Sequence, residues 1–208
     1  MADHYYTAVP QSDHEARSFS CVFGGRTLCF DTDAGVFSKQ HVDPGSELLC
    51  RCLPDAMQGD VLDMGCGWGA MTVLTLAAHP DVRMTMADVN ERALALAERN
   101  VQRNGMQARA VLSDGFEKIE GMFDAVITNP PIRAGKKVIY RIFEDAKAHL
   151  KPGGALYLVI RKQQGAPSAL TFLRELYGQA DVLERESGYW VIRCIQEAPV
   201  RRADPTGG

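Results

Sequence analysis

The sequence predicts an α/β fold: a Rossmann-like, seven-stranded, mostly parallel sheet with helices on both faces, preceded by an N-terminal β-hairpin. Three observations carry that reading. From residue 59 onward, short apolar runs of strand length alternate with segments of helical length. The first run ends in Asp63 and passes into a glycine turn, Gly65-Cys66-Gly67-Trp68-Gly69, before an apolar helical segment at 70–78. The last two runs flank Ser187-Gly188 with no helix between them, so the sheet closes on an antiparallel pair. A chain of 208 residues with 46% hydrophobic and 24% charged content suits one globular core. The expected division is an extension over 1–58, a core over 59–197 and a tail over 198–208.

Each element has its own local cause. Residues 18–23 and 26–31 are strand-like and joined by Gly24-Gly25, a two-residue connection that favours a type I′ hairpin. Residues 33–39 read as a loop. Asp43-Pro44 opens a helix, the aspartate as N-cap and the proline at the first helical position, and Pro54 stops it near Leu53. In the core, strand 61–63 leads to helix 70–78. Val82, Met84 and Met86 alternate with polar residues in a strand closed by Asp88. Asn90 caps a helix with Leu94, Ala97 and Val101 on one face, and Gly105 ends it. Strands follow at 108–112 and 123–128. A helix at 138–150 is stopped by Lys151-Pro152-Gly153-Gly154, and strand 155–160 precedes helix 168–177. Residues 182–186 and 189–195 form the closing pair, and no internal repeat is visible.

Composition excludes several classes. No stretch reaches the ~20 apolar residues of a membrane span, and the first residues lack the regions of a signal peptide, so a cytoplasmic protein is expected. Six cysteines form no C-x-x-C pair and five histidines show no ligand spacing, which favours reduced thiols and no metal. Cys66, with no histidine neighbour in sequence, reads as a small filler rather than a nucleophile. Net charge is −3 but uneven: residues 125–174 hold nine basic and two acidic side chains, +7, leaving −10 elsewhere. An acidic chain presenting one basic face to a polyanion fits this, as does an unevenly charged solvated surface.

The chemistry gathers at the strand ends. The glycine spacing is G-x-G-x-G rather than the dinucleotide G-x-G-x-x-G, and an acid precedes it. Asp63 repels pyrophosphate but suits an α-ammonium or a sulfonium. Asp88 closes the next strand, where an acid accepts from ribose hydroxyls. Asp114, after the third, is placed to accept from an adenine amine. Amino acid, ribose and adenine along one rim describe S-adenosylmethionine better than NAD. Asn129-Pro130-Pro131-Ile132 is the second sharp signal. The prolines bias Asn129 out of helical conformation and stiffen the turn. The turn fixes the asparagine oxygen and the Pro130 carbonyl as two acceptors for the hydrogens of an exocyclic amine, whose lone pair they would aim outward. Positioning and electrostatics then do most of the catalytic work.

Residues 18–195 resemble class I S-adenosylmethionine-dependent methyltransferases of the methyltransferase small domain family, and among them the bacterial 16S ribosomal RNA guanine-N2 enzymes. The matching segments are Gly35-Val36-Phe37-Ser38, Asp63 to Gly69, Asp88-Val89-Asn90, Ser113-Asp114-Gly115, Asn129 to Ile132 and Lys151 to Gly154. The resemblance implies cofactor contacts from Phe37, Ser38, Asp63, Gly65, Cys66, Gly67, Trp68, Gly69, Asp88, Val89, Asn90, Asp114 and Gly115. It implies target-amine contacts from Asn129, Pro130, Pro131 and Ile132, although Ile132 stands where the family often has an aromatic that stacks on a flipped base. Arg133, Lys136 and Lys137, just after that turn, with Arg161 and Lys162 at the end of strand 155–160, are expected to hold phosphates of ribosomal RNA or the small subunit. The alternatives are a protein glutamine N5-methyltransferase, favoured by the same Asn-Pro-Pro turn but not by the basic rim, a DNA adenine-N6 enzyme, and a non-catalytic binder of the cofactor.

Overall fold

The computed structural model describes residues 17–32 and 41–197. The expected loop at 33–39, with Phe37 and Ser38, and the expected tail lie outside the described residues. The described residues open on a hairpin, β1 (Arg17–Phe23) and β2 (Arg26–Thr32), paired antiparallel so that Phe23 faces Arg26. Gly24 and Gly25 take φ of 56° and 75°, the two positive values a type I′ turn requires. Helix α1 (Pro44–Arg51) follows, shorter than expected, with the Asp43 carboxylate accepting from the Ser46 N–H at its N-terminus.

The core alternates β3 (Asp60–Met64), α2 (Ala70–Ala78), β4 (Arg83–Asp88), α3 (Glu91–Arg103), β5 (Arg109–Leu112), β6 (Phe123–Thr128), α4 (Lys136–Ala148), β7 (Leu150–Arg161), α5 (Ala166–Tyr177), β8 (Gln179–Glu186) and β9 (Tyr189–Ile195). The seven strands of the main sheet lie in the order β5-β4-β3-β6-β7-β9-β8, parallel except for β9, which runs antiparallel to both neighbours. Several expected boundaries moved. Helix α4 starts at Lys136 rather than 138, two cations in its first turn notwithstanding. Lys151-Pro152-Gly153-Gly154 lies within β7 as a bulge, since Phe123 faces Leu150 while Ala125 already faces Ala155.

The sheet is covered on both faces. One core joins the hairpin, α1, α2 and α3 to Val61, Ala125 and Ile127; the other joins α4 and α5 to Leu62, Val126 and Leu156. Alternation along β3 sends Val61 and Asp63 to the first face, and Leu62 and Met64 to the second. The hairpin is docked by side chains that imitate a strand. Asn104 exchanges hydrogen bonds with the backbone N–H and C=O of Cys29, and Asn100 does the same with Asp31. Phe19 and Phe30 pack edge-on against Trp68, with ring centroids 5.8 and 5.1 Å away.

The chain leaves β3 towards β4 and β5, then returns to β6 on the other side of β3. The loops at that reversal diverge, which opens a crevice at the carboxyl ends of β3 and β6. At the opposite rim Lys151 sits between Asp60 and Asp124, at 3.0 and 2.7 Å. Its charge therefore belongs to the far end of the sheet from the crevice. Among the described residues, no helix is long and apolar enough to cross a membrane.

Candidate active site

The crevice is a cavity of about 650 Å3 walled by the glycine turn on one side and by Asn129, Pro130, Pro131 and Ile132 on the other. The turn needs its glycines: Gly65, Gly67 and Gly69 have φ of 73°, 56° and 85°. The N–H groups of Gly65 and Cys66 both donate to the Ala87 carbonyl, at 2.8 and 3.0 Å, which folds the turn over the end of β4. Gly65 faces open space where a Cβ would stand, whereas a Cβ on Gly69 would lie 2.9 Å from that of Ala97. Beyond the turn, Ala70 and Met71 bring the uncapped N-terminus of α2 to the cavity wall.

Of the expected cofactor residues, Gly65, Cys66, Gly67, Trp68, Asp88, Val89, Asp114 and Gly115 line the cavity. Asp63, Gly69 and Asn90 do not; they hold its wall from behind. Asp63 lies one residue short of the strand end, so alternation turns it into the core beneath the turn. There its Oδ2 accepts from the Thr72 hydroxyl at 2.7 Å, and its Oδ1 is buried with no partner. Burial, and secondarily the nearby Asp88, pushes the Asp63 carboxyl up to about 7, against the opposing Thr72 hydrogen bond. Asp88 is also raised by burial, although Oδ2 accepts from the Gly67 N–H at 2.8 Å and Oδ1 from the Asn90 N–H at 2.9 Å. Asn90 is spent on capping α3. Burial raises the Cys66 thiol well above the ordinary range, which fits a filler and not a nucleophile.

The Asn129 amide is pinned. Its Nδ2 donates to Asp43 Oδ2 and to Ser46 Oγ, both at 3.0 Å. A carboxylate cannot donate, so chemistry alone fixes which end of the amide faces Asp43. Asp43 in turn accepts from the Tyr189 hydroxyl at 3.3 Å, and Tyr189 accepts from Arg161 at 2.6 Å while carrying that guanidinium 4.4 Å from its ring centroid. Asp43, Ser46 and Tyr189 all line the cavity. The sequence revealed Asp43 only as a helix cap. Its partners lie 86 and 146 residues away in the chain, and no local pattern signals them.

Of the expected phosphate-holding residues, Arg133 and Arg161 line the main cavity, and Lys136 lines a smaller adjoining one with its ammonium 5.0 Å from the Tyr140 ring centroid. Lys137 and Lys162 are exposed nearby and line neither. None of these five forms an ion pair among the described residues, whereas Arg141 is matched by Glu117 and Asp145. All five lie at or just after the carboxyl ends of β6 and β7.

A doubly wound parallel sheet with a glycine turn and a proline-locked strand end facing one cavity is the Rossmann-like methyltransferase fold. The chain belongs to the Methyltransferase small domain family, which matches residues 27–193. It is 39% identical over 198 residues to the uncharacterized protein YbxB of Bacillus subtilis, covering 93% of this chain and 98% of the relative. It is 41% identical over 143 residues to the ribosomal RNA small subunit methyltransferase C of Shewanella loihica, covering 67% of this chain and 41% of that one. The solved structure of the T. thermophilus 16S rRNA N2 methyltransferase RsmC, in complex with AdoMet and guanosine, superposes with a TM-score of 0.80 at 28% identity. That match covers 91% of this chain and 53% of the other. The chain thus spans about half the length of these two ribosomal RNA methyltransferases.

Proposed function

We propose that the protein is an N-methyltransferase that uses S-adenosylmethionine and acts on an exocyclic amine, guanine N2 of 16S ribosomal RNA. The observation that carries the reading is the Asn129 amide, fastened through its nitrogen beside Pro130 in the cavity that the glycine turn also walls. The residues suit a cationic sulfonium cofactor. One buried acid, Asp63, stands behind the turn with an unpartnered oxygen, a second, Asp88, lines the cavity beside it, and Gly65 leaves its backbone open to a ligand. When bound, S-adenosylmethionine supplies an electrophilic methyl group on positively charged sulfur.

The chain's own residues do the rest by placement. A guanine amine is a poor nucleophile because its lone pair is conjugated into the ring. Asn129 Oδ1 and the Pro130 carbonyl, accepting its two hydrogens, would draw the nitrogen towards tetrahedral geometry and free that pair for attack. No general base is needed before transfer, and the acceptors stabilise the charge that develops. Arg133, Lys136, Lys137, Arg161 and Lys162 form the phosphate-holding rim, which favours RNA over a protein glutamine. The relatives' names support small-subunit ribosomal RNA, and the solved N2 methyltransferase with its guanosine supports guanine N2.

The test is transfer of labelled methyl to RNA from cells lacking the protein. Label confined to one guanine of 16S RNA is the expected result. Label in protein, or none at all with the cofactor bound, would refute the reading. In the same assay Asn129→Ala is expected to lower kcat by at least about 100-fold, with cofactor affinity held within about twofold because the glycine turn is untouched.

A further inference from the structure

Asp43 carries more connections than a helix cap requires. One carboxylate oxygen accepts from both the Ser46 N–H, at 2.9 Å, and the Asn129 Nδ2, at 3.0 Å; the other accepts from the Tyr189 hydroxyl. The fold makes room for this. Alternation along β6 turns Asn129 towards the α1 face of the sheet, where the helix begins. Gly45 lets the Tyr189 ring lie against that helix start, since a Cβ there would stand 2.6 Å from a ring carbon. Asp43 is buried, and it is the only acid among the described residues that contacts the Asn129 side chain.

We propose that Asp43 is a positioning residue for methyl transfer, which locks the Asn129 amide with its oxygen towards the target amine and sets a fixed negative charge behind the nitrogen that becomes cationic. The inference rests on the amine reading given above. Without an acceptor-only partner the amide is free to turn over, and its NH2 end would then confront the amine with donor facing donor. Accepting from Nδ2 also polarises the amide and makes Oδ1 a stronger acceptor. During transfer the amine nitrogen's lone pair forms the bond to the methyl carbon, and the old carbon–sulfur pair stays on sulfur. The nitrogen then holds a positive charge until one of its protons passes to water. The carboxylate, one amide away, offsets that charge.

Asp43→Asn keeps the cap, because asparagine is an equally good N-cap residue, but gives Asn129 a partner that donates as well as accepts. We expect its kcat to fall about 10- to 100-fold, with melting temperature and cofactor affinity nearly unchanged. In 15N NMR of the protein without cofactor, the Asn129 side-chain amide protons are expected to exchange with solvent faster than in the wild type. The double variant Asp43→Asn/Asn129→Asp restores one amide-to-carboxylate bond with the partners exchanged, and is expected to be at least about tenfold more active than Asn129→Asp alone. A folded Asp43→Asn with wild-type kcat and wild-type amide exchange overturns the proposal. So does a double variant no more active than Asn129→Asp alone, an outcome that remains decisive if Asp43→Asn does not fold. Wild-type protein that transfers methyl to no RNA overturns the amine reading itself, a result separable from both of these.

Discussion

Asp63 shows how one residue's register changes its chemistry. An acid before a glycine turn invites the assignment of a direct ligand contact. The pleat instead buries it under the turn, where it touches Thr72 and leaves one oxygen unpartnered. A carboxyl raised from its ordinary range to about 7 holds its proton more tightly in the folded chain than in the unfolded one. Its contribution to stability is therefore complete below about pH 4 and is lost as pH rises through 7, a difference of about 4 kcal/mol across that window. Asp88, raised in the same direction, adds to the trend. The melting temperature of the cofactor-free protein is expected to fall between pH 5 and 8, and Asp63→Asn to remove most of that slope. A cation bound on the turn favours the ionised acid, so sulfonium affinity is expected to rise from pH 6 to 8 in the wild type and to stay flat in the variant. Calorimetric titration at both pH values checks it.

At the scale of elements, the hairpin is held by a helix acting as a strand. Asn100, fully buried on α3, satisfies the N–H and C=O of Asp31 and also donates to the Trp68 carbonyl at 2.8 Å. One side chain thus ties the hairpin, α3 and the glycine turn together. Asn100→Ala would leave those three backbone groups without this partner, and is expected to cost about 2–3 kcal/mol in urea unfolding. Amide protection at Cys29 and Asp31 is expected to fall, while that of β6 and β7 holds. The elements themselves were legible because apolar alternation, Asn90 as a cap and Gly24-Gly25 as a turn all act within a few residues. Where the hairpin docks was not legible, because asparagines at the end of a helix look like solvated surface until the strand they pair with is brought to them.

For the whole molecule, the uneven charge of the sequence resolves into two ends of one sheet. Lys151 pairs with Asp60 and Asp124 at the rim far from the cavity; Arg83 and then Lys151 hold Asp60 below the usual carboxylate range, and Lys151 lowers Asp124 against the opposing effect of burial. Lys147 and Arg174 donate to the Leu176 and Ala180 carbonyls, at 2.5 and 3.2 Å, and so serve the packing of α4, α5 and β8. The five cations at the ends of β6 and β7 form no ion pair among the described residues. Replacing Lys136 and Lys137 together with alanine is expected to weaken RNA binding and to lower the slope of log affinity against log salt by about 1.5. Filter binding at several salt concentrations reads this directly, and an unchanged slope would remove both lysines from the interface.

The sequence by itself determined the fold class, the glycine turn and the Asn-Pro-Pro strand end, because each arises from forces acting over a few neighbouring residues: sterics at glycine and proline, and the period of apolar burial. Only the tertiary structure decided that Asp63 supports the site from beneath and that Asp43, Ser46 and Tyr189 stand in its wall. Those contacts join residues that are distant along the chain. They exist only because the sheet's reversal between β3 and β6 sets the start of α1 against the end of β6.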